Sequence, residues 1–120
     1  MKKLRIEDLK PLSHSVFDSH AHLQDEAFDE IREDVISRAK ESGVSGIIVP
    51  GDNLESSLAG VVLSEKHAGY LFAAVGVHPY DAKFYDDETE DSLRELALRD
   101  VVVAVGEAGL DYRPDESDPS

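Results

Sequence analysis

The sequence predicts an α/β fold: the first four strands and three helices of a (β/α)8 TIM-type barrel, a truncated half-barrel of parallel strands. Three observations predict it. Apolar runs begin near residues 16, 44, 71 and 101, at intervals of 28, 27 and 30 residues. The segments between them carry apolar residues at helical spacing. The runs themselves are apolar at successive positions, as in strands buried on both faces and joined by crossover helices. Eight such units need roughly 230 residues, the size of a complete barrel. A small open α/β sheet is the other arrangement this pattern admits. The lack of a fourth helix or capping element after the last strand favours the half-barrel.

The elements follow in order. Residues 1–15 form a polar lead and residues 114–120 an acidic tail, so the folded unit is expected over 16–113. Val16 to Leu23 reads as the first strand. Phe28, Ile31, Val35 and Ala39 mark the first helix. Its start is acidic (Asp25, Glu26, Asp29, Glu30), its end basic (Arg38, Lys40), and Gly43 stops it. Val44 to Pro50 is the second strand. Asp52 is expected to cap the second helix, with Glu55 three residues on as in a capping box. Leu54, Leu58, Val61 and Val62 form its stripe, and Gly69 ends it. Leu71 to Val77 is the third strand. A loop through Pro79 to Asp87 leads to a third helix with Leu93, Leu96 and Ala97 inward. Val101 to Val105 is the fourth strand, followed by Gly106-Glu107-Ala108-Gly109-Leu110-Asp111-Tyr112.

Composition narrows the function. The 120 residues suit one domain at most. With 12 Lys and Arg against 26 Asp and Glu, the net charge is −14. That argues against a module holding nucleic acid mainly by counterion release. It leaves open an enzyme with a metal-lined pocket, where ions supply the local positive charge. The absence of cysteine excludes a disulfide scaffold, a thiolate metal site and a cysteine nucleophile. No apolar run reaches the ~18 residues of a membrane span. Met1-Lys2-Lys3 is basic like the start of a signal peptide, but Arg5, Glu7, Asp8 and Lys10 break any apolar region behind it. A soluble, cytoplasmic chain without membrane contact is expected. The nucleophile-elbow, P-loop and dinucleotide motifs are absent.

His20 and His22 carry the strongest chemical signal. At i and i+2 of a strand they share a face, ~7 Å apart along the chain, and two such imidazoles can converge on one divalent ion. Asp18 shares that face and could orient an imidazole. A His-x-His pair also arises by accident. Its place at the C-terminal end of an apolar strand, where parallel α/β folds build their sites, favours the ligand reading. Glu107 follows the fourth strand, where a carboxylate is costly unless paired or metal-bound. Gly106 and Gly109 beside it permit close approach of backbone or ligand; a loop glutamate in water is the alternative. His78, before Pro79, could contact a substrate phosphate or cap a turn. Arg113 suits phosphate geometry or is solvated in an acidic tail. Asp111 and Tyr112 lie on the same rim. No function is expected of His14 or His67.

Three segments then match a known family. Phe17-Asp18-Ser19-His20-Ala21-His22-Leu23, Ala74-Val75-Gly76-Val77-His78-Pro79 and Val105-Gly106-Glu107-Ala108-Gly109-Leu110-Asp111-Tyr112 resemble the amino-terminal half of TatD-family metal-dependent hydrolases. The likeness runs from about Val16 to Arg113, and the third segment is its most specific part. The resemblance implies a (β/α)8 barrel with one or two divalent ions (Mg, Mn or Zn) and DNase-like activity, hydrolysing DNA phosphodiesters with metal-activated water. It implies that His20 and His22 bind one metal and that Glu107 bridges two as the catalytic carboxylate. Alongside it, His78 and Arg113 are expected to bind substrate, and Asp18 and Asp111 to support the ligating groups.

The sequence departs from the family at Gln24, where an Asp or Asn is usual. The family's remaining ligands, two histidines and an aspartate, lie on later strands, so the 120 residues alone are expected to be weak or inactive. Two alternatives stand. A hydrolase of the same barrel class could act on another ester, such as D-aminoacyl-tRNA. A non-catalytic half-barrel could instead self-associate through the unpaired edges of its first and fourth strands. Other His-x-His barrels, the amidohydrolases and the polymerase-and-histidinol-phosphatase type, match less well in the third segment.

Overall fold

A computed structural model of the protein describes residues 13–113. Most of the polar lead and the whole acidic tail expected from the sequence lie outside the described residues. Four strands alternate with three helices: β1 (Val16–Asp18), α1 (Arg32–Glu41), β2 (Val44–Pro50), α2 (Leu54–Lys66), β3 (Leu71–Val75), α3 (Asp87–Ala97) and β4 (Val102–Val105). Two 3-10 turns, Glu26–Phe28 and Pro79–Phe84, precede α1 and α3. All neighbouring strands pair in parallel, in the order β1-β2-β3-β4. Strand order follows chain order without reversal, unlike a doubly wound sheet, where the order reverses at a switch point.

The core lies between one face of the sheet and the helices. Ile47, Val49 and Leu71 pack with Ile36 of α1 and Leu63 of α2. Ala73 and Val75 pack with Val61 of α2 and Leu96 of α3. These strand residues alternate along β2 and β3, so all three helices cover the same face. The intervening positions point the other way. Phe17 is exposed there, Ile48 and Phe72 are half-buried, and the Phe17 and Phe72 rings lie 6.1 Å apart. Among the described residues no helix is long and apolar enough to cross a membrane.

Element types and order agree with the sequence pattern, and several details differ. The first strand ends at Asp18 rather than Leu23, and the third at Val75 rather than Val77. In both places the chain turns away to build the rim. Phe28 lies in a 3-10 turn and α1 begins only at Arg32. The cap of α2 is Asn53, not Asp52: its side chain accepts from Ser56 N, and the Ser56 hydroxyl returns to the cap backbone. The buried residues of α2 are Ser57, Gly60, Val61, Leu63 and Ser64, while Leu58 and Val62 face outward, 47% and 58% exposed. Small residues win that face because α2 lies close on β3. Ala97 is exposed, and β4 is an edge strand whose Val105 is 78% exposed. Gly43 and Gly69 do follow α1 and α2, at φ 99° and 89°, a backbone that favours glycine.

Candidate metal centre

The site forms beyond the C-terminal ends of the strands, where four loops meet. His20 and His22 sit past β1 on a loop that stays tied to the sheet. Ala21 N–H, between them, donates to Ile48 O at 3.1 Å, and Leu23 is buried in the core. The Arg32 guanidinium clamps the loop from α1, donating to Leu23 O at 2.6 Å and to Asp25 O at 2.9 Å. Gln24 Nε2 ties it to the end of β2 through Pro50 O at 2.7 Å and to Ser56 O at 3.2 Å. The residue that departs from the family pattern therefore has a structural task here.

Glu107 reaches the histidines by crossing the sheet. β4 lies at the opposite edge from β1, yet Glu107 N–H donates to Gly51 O, past the end of β2, at 2.7 Å. The Gly106–Glu107 peptide is cis. The crossing passes over Gly76, where an added Cβ would stand 2.8 Å from Glu107 O and 2.9 Å from Gly106 O. Close approach therefore occurs at Gly76, and at Gly51 against Ser57. It does not occur at Gly106 or Gly109, where an added Cβ would meet nothing within 4 Å. Those two glycines border the crossing strap, and the notch beneath it is Gly76.

The result is a tight donor triad. His20 Nε2 and His22 Nε2 are 3.1 Å apart. Glu107 Oε1 is 3.6 Å from His20 Nε2, and Oε2 is 3.4 Å from His22 Nε2. One ligand atom from each residue falls within 4.8 Å of the others. An ion held at ~2.0–2.2 Å in tetrahedral geometry separates its donors by about 3.3–3.6 Å; the two imidazole nitrogens, and each of them with its nearer Glu107 oxygen, stand near that spacing. Two imidazoles and a carboxylate suit zinc or manganese, so the residues present fit a divalent ion.

Asp52, at the end of β2, is a fourth member that the sequence pattern assigned to a helix cap. Its Oδ1 lies 3.8 Å from His22 Nδ1 and is buried without a hydrogen-bond partner. The Asp52 carboxyl beside Glu107, and then burial, push the Glu107 pKa above its ordinary value, while His22 and His20 pull it down. Asp52 follows an apolar strand just as Glu107 does, and that shared placement was the signal available for it. A cleft of about 260 Å³ opens beside His22, lined in part by Gln24, Asp25, Asp52 and Asn53.

The other predicted residues lie around this triad. Asp18 Oδ1 accepts from His20 N at 3.0 Å. His78 caps the 3-10 turn, its Nδ1 accepting from Tyr80 N at 3.1 Å, and its own N–H donates to Asp52 O at 2.6 Å. Asp111 and Arg113 form a two-pronged pair, with Arg113 Nη2 donating to Oδ2 at 2.6 Å and Nε to Oδ1 at 3.0 Å. That guanidinium pulls the Asp111 pKa down to about 2. It also lies 5.1 Å from the centre of the Tyr80 ring, whose other neighbour is the His78 ring at 5.2 Å. Tyr80 had no periodic or motif signal in the sequence.

Comparison with known proteins points the same way. Residues 17–120 match the model of the family described as TatD related DNase. A "3'-5' ssDNA/RNA exonuclease TatD" from Pectobacterium carotovorum is 38% identical over 104 residues, covering 87% of this chain and 40% of the relative. A TatD homolog from Escherichia coli K12 superposes with a TM-score of 0.73 at 35% identity, over 82% of this chain and 39% of that one. A TatD family hydrolase from Entamoeba histolytica gives 0.74 at 27% identity, over 84% and 39%. The chain thus spans about two fifths of the length of the curated relatives it matches. Its four parallel strands and alternating helices correspond to part of a TatD barrel.

Proposed function

We propose, because this chain belongs to the TatD related DNase family, that it supplies the first metal-binding half of a nuclease site that hydrolyses phosphodiesters of single-stranded DNA. The observation that carries the reading is the convergence of His20, His22 and Glu107 from the two edges of one sheet. The exonuclease name of the relatives supports nucleic acid as substrate. With a net charge of −14, a bound cation would supply the local positive charge that favours approach of a phosphate.

In this reading His20 and His22 would hold the ion through Nε2, and Glu107 would complete the donor set and act as the catalytic carboxylate. A divalent ion supplies Lewis-acid polarisation of the phosphoryl group and lowers the pKa of a nearby water. Asp18 fixes the backbone that carries His20. His78, Tyr80 and Arg113 form the substrate side of the rim: the guanidinium meets a phosphate, the Tyr80 ring offers a stacking face for a base, and Asp111 holds Arg113 in place.

The test is cleavage of a 3'-labelled single-stranded DNA by the protein after chelation, with and without added Mn2+. Cleavage restored by Mn2+ and reduced at least 100-fold in Glu107→Ala supports the reading. Cleavage indifferent to chelation, or to Glu107→Ala, overturns it.

A further inference from the structure

We infer that Asp52 is a positioning residue for His22: its buried Oδ1 accepts a hydrogen bond from His22 Nδ1–H and so leaves Nε2 unprotonated and turned toward His20 and Glu107. The inference deepens the metal reading above, and its functional meaning rests on that reading.

The two nitrogens of the His22 ring face different partners. Nε2 lies 3.1 Å from His20 Nε2 and 3.4 Å from Glu107 Oε2. Nδ1 faces Asp52 Oδ1 at 3.8 Å. A neutral imidazole carries one N–H, and the nitrogen that bears it cannot ligate. Whichever group accepts from Nδ1 therefore decides whether Nε2 is free to bind an ion. Asp52 Oδ1 is buried with no hydrogen-bond partner, which is costly unless a donor is at hand; the carboxyl also stands beside Glu107, so His22 Nδ1 and the Glu107 carboxyl are the two groups that compete for it. At 3.8 Å the pair is an ion-pair contact longer than a hydrogen bond, and the proposed pairing requires the two atoms to close to one.

The backbone of Asp52 is fixed on both sides, so its carboxylate can select a tautomer. Its N–H donates to Ser56 Oγ at 2.7 Å, and its carbonyl accepts from His78 N–H at 2.6 Å. Ser56 is itself held in the capping box of α2. Asp18, the carboxylate on the histidine segment, accepts the backbone N–H of His20 instead. That leaves Asp52 on the Nδ1 side of His22.

The experiment uses the chain labelled with 15N at histidine, metal-free at pH 8, and reads the His22 tautomer from two-bond 1H–15N correlations. The same samples are then titrated with Zn2+ alone. The expected result is an Nδ1–H pattern for His22 in wild type and in Asp52→Asn, whose amide oxygen still accepts. In Asp52→Ala the pattern moves toward Nε2–H, and Zn2+ affinity falls by about 10–100-fold, with a smaller loss in Asp52→Asn. An Nε2–H pattern in wild type overturns the inference without recourse to any variant. So does an Asp52→Ala chain that keeps both the spectrum and the affinity of wild type. A chain that binds no Zn2+ yet shows the Asp52-dependent Nδ1–H pattern strikes the metal reading and leaves the Asp52–His22 pairing standing.

Discussion

Ser57 Oγ lies 3.1 Å from both the N–H and the carbonyl of Gly76. One fully buried hydroxyl of α2 therefore satisfies both main-chain groups of the residue just past β3, the residue over which the Glu107 strap crosses. Replacing Ser57 with Ala leaves a buried donor and acceptor unpaired, which costs about 1–3 kcal/mol for each such group. Urea unfolding of Ser57→Ala is expected to show a loss of about 2–6 kcal/mol, the two groups together. Ser64→Ala, whose buried hydroxyl has no partner, is expected to cost less or nothing.

Gly76→Ala places a methyl against the strap backbone, with contacts of 2.8–2.9 Å. Overpacking of this kind costs about 1–3 kcal/mol. The strap must lift, so Glu107 moves off the histidines and Zn2+ binding is lost together with stability. Gly106→Ala is the control, because an added Cβ there meets nothing within 4 Å. Thermal melting combined with calorimetric Zn2+ titration of the two variants checks the contrast.

The capping of α2 can be separated residue by residue. Asn53→Ala removes the side-chain acceptor for Ser56 N and is expected to destabilise by about 1 kcal/mol. Glu55→Gln, at the position the sequence pattern had assigned to the capping box, is expected to leave the unfolding midpoint unchanged.

A divalent ion bound only by the folded chain raises its stability by mass action, about 2.7 kcal/mol at a hundredfold excess over Kd. Zn2+ is therefore expected to raise the melting temperature, and chelation to reverse the rise. His20→Ala and Glu107→Ala should melt at one temperature whether or not Zn2+ is present.

Glu33 gives a pH dependence remote from the site. The Lys66 ammonium, 3.0 Å away, and then His67, also at 3.0 Å, hold its carboxyl below the ordinary 4.5. A depressed folded pKa means that the stabilisation is present above the unfolded value and lost as pH falls through the folded one. Wild type is expected to melt slightly above Glu33→Gln at pH 7. The difference should vanish well below pH 4.5, as followed by circular dichroism.

The sequence carried the elements that depend on local chemistry. Gly43 and Gly69 marked two helix ends because a left-handed residue there is a local demand. Val44 to Pro50 was legible as a strand because both its faces are apolar. His20, His22 and Glu107 were legible as residues just past strand ends, and the structure brings the three together. Asp52 was not, because a carboxylate before Asn53-Leu54 looks the same whether it caps a helix or faces a histidine. Tertiary packing decides between those, and it gave the cap to Asn53. Nor could the sequence show that Gly76 forms the notch under the Glu107 strap, since the residue that needs the space lies 31 positions away.

The triad draws its members from the first and last strands of the sheet, β1 and β4, with β2 and β3 between them. Its spacing therefore sums the register of all three strand pairings. A slip of one residue in any pairing shifts a strand end by about 3.3 Å, as large as the separations within the triad itself. The triad geometry is in this sense a proofreading mark on assembly: it appears only once every pairing is in register.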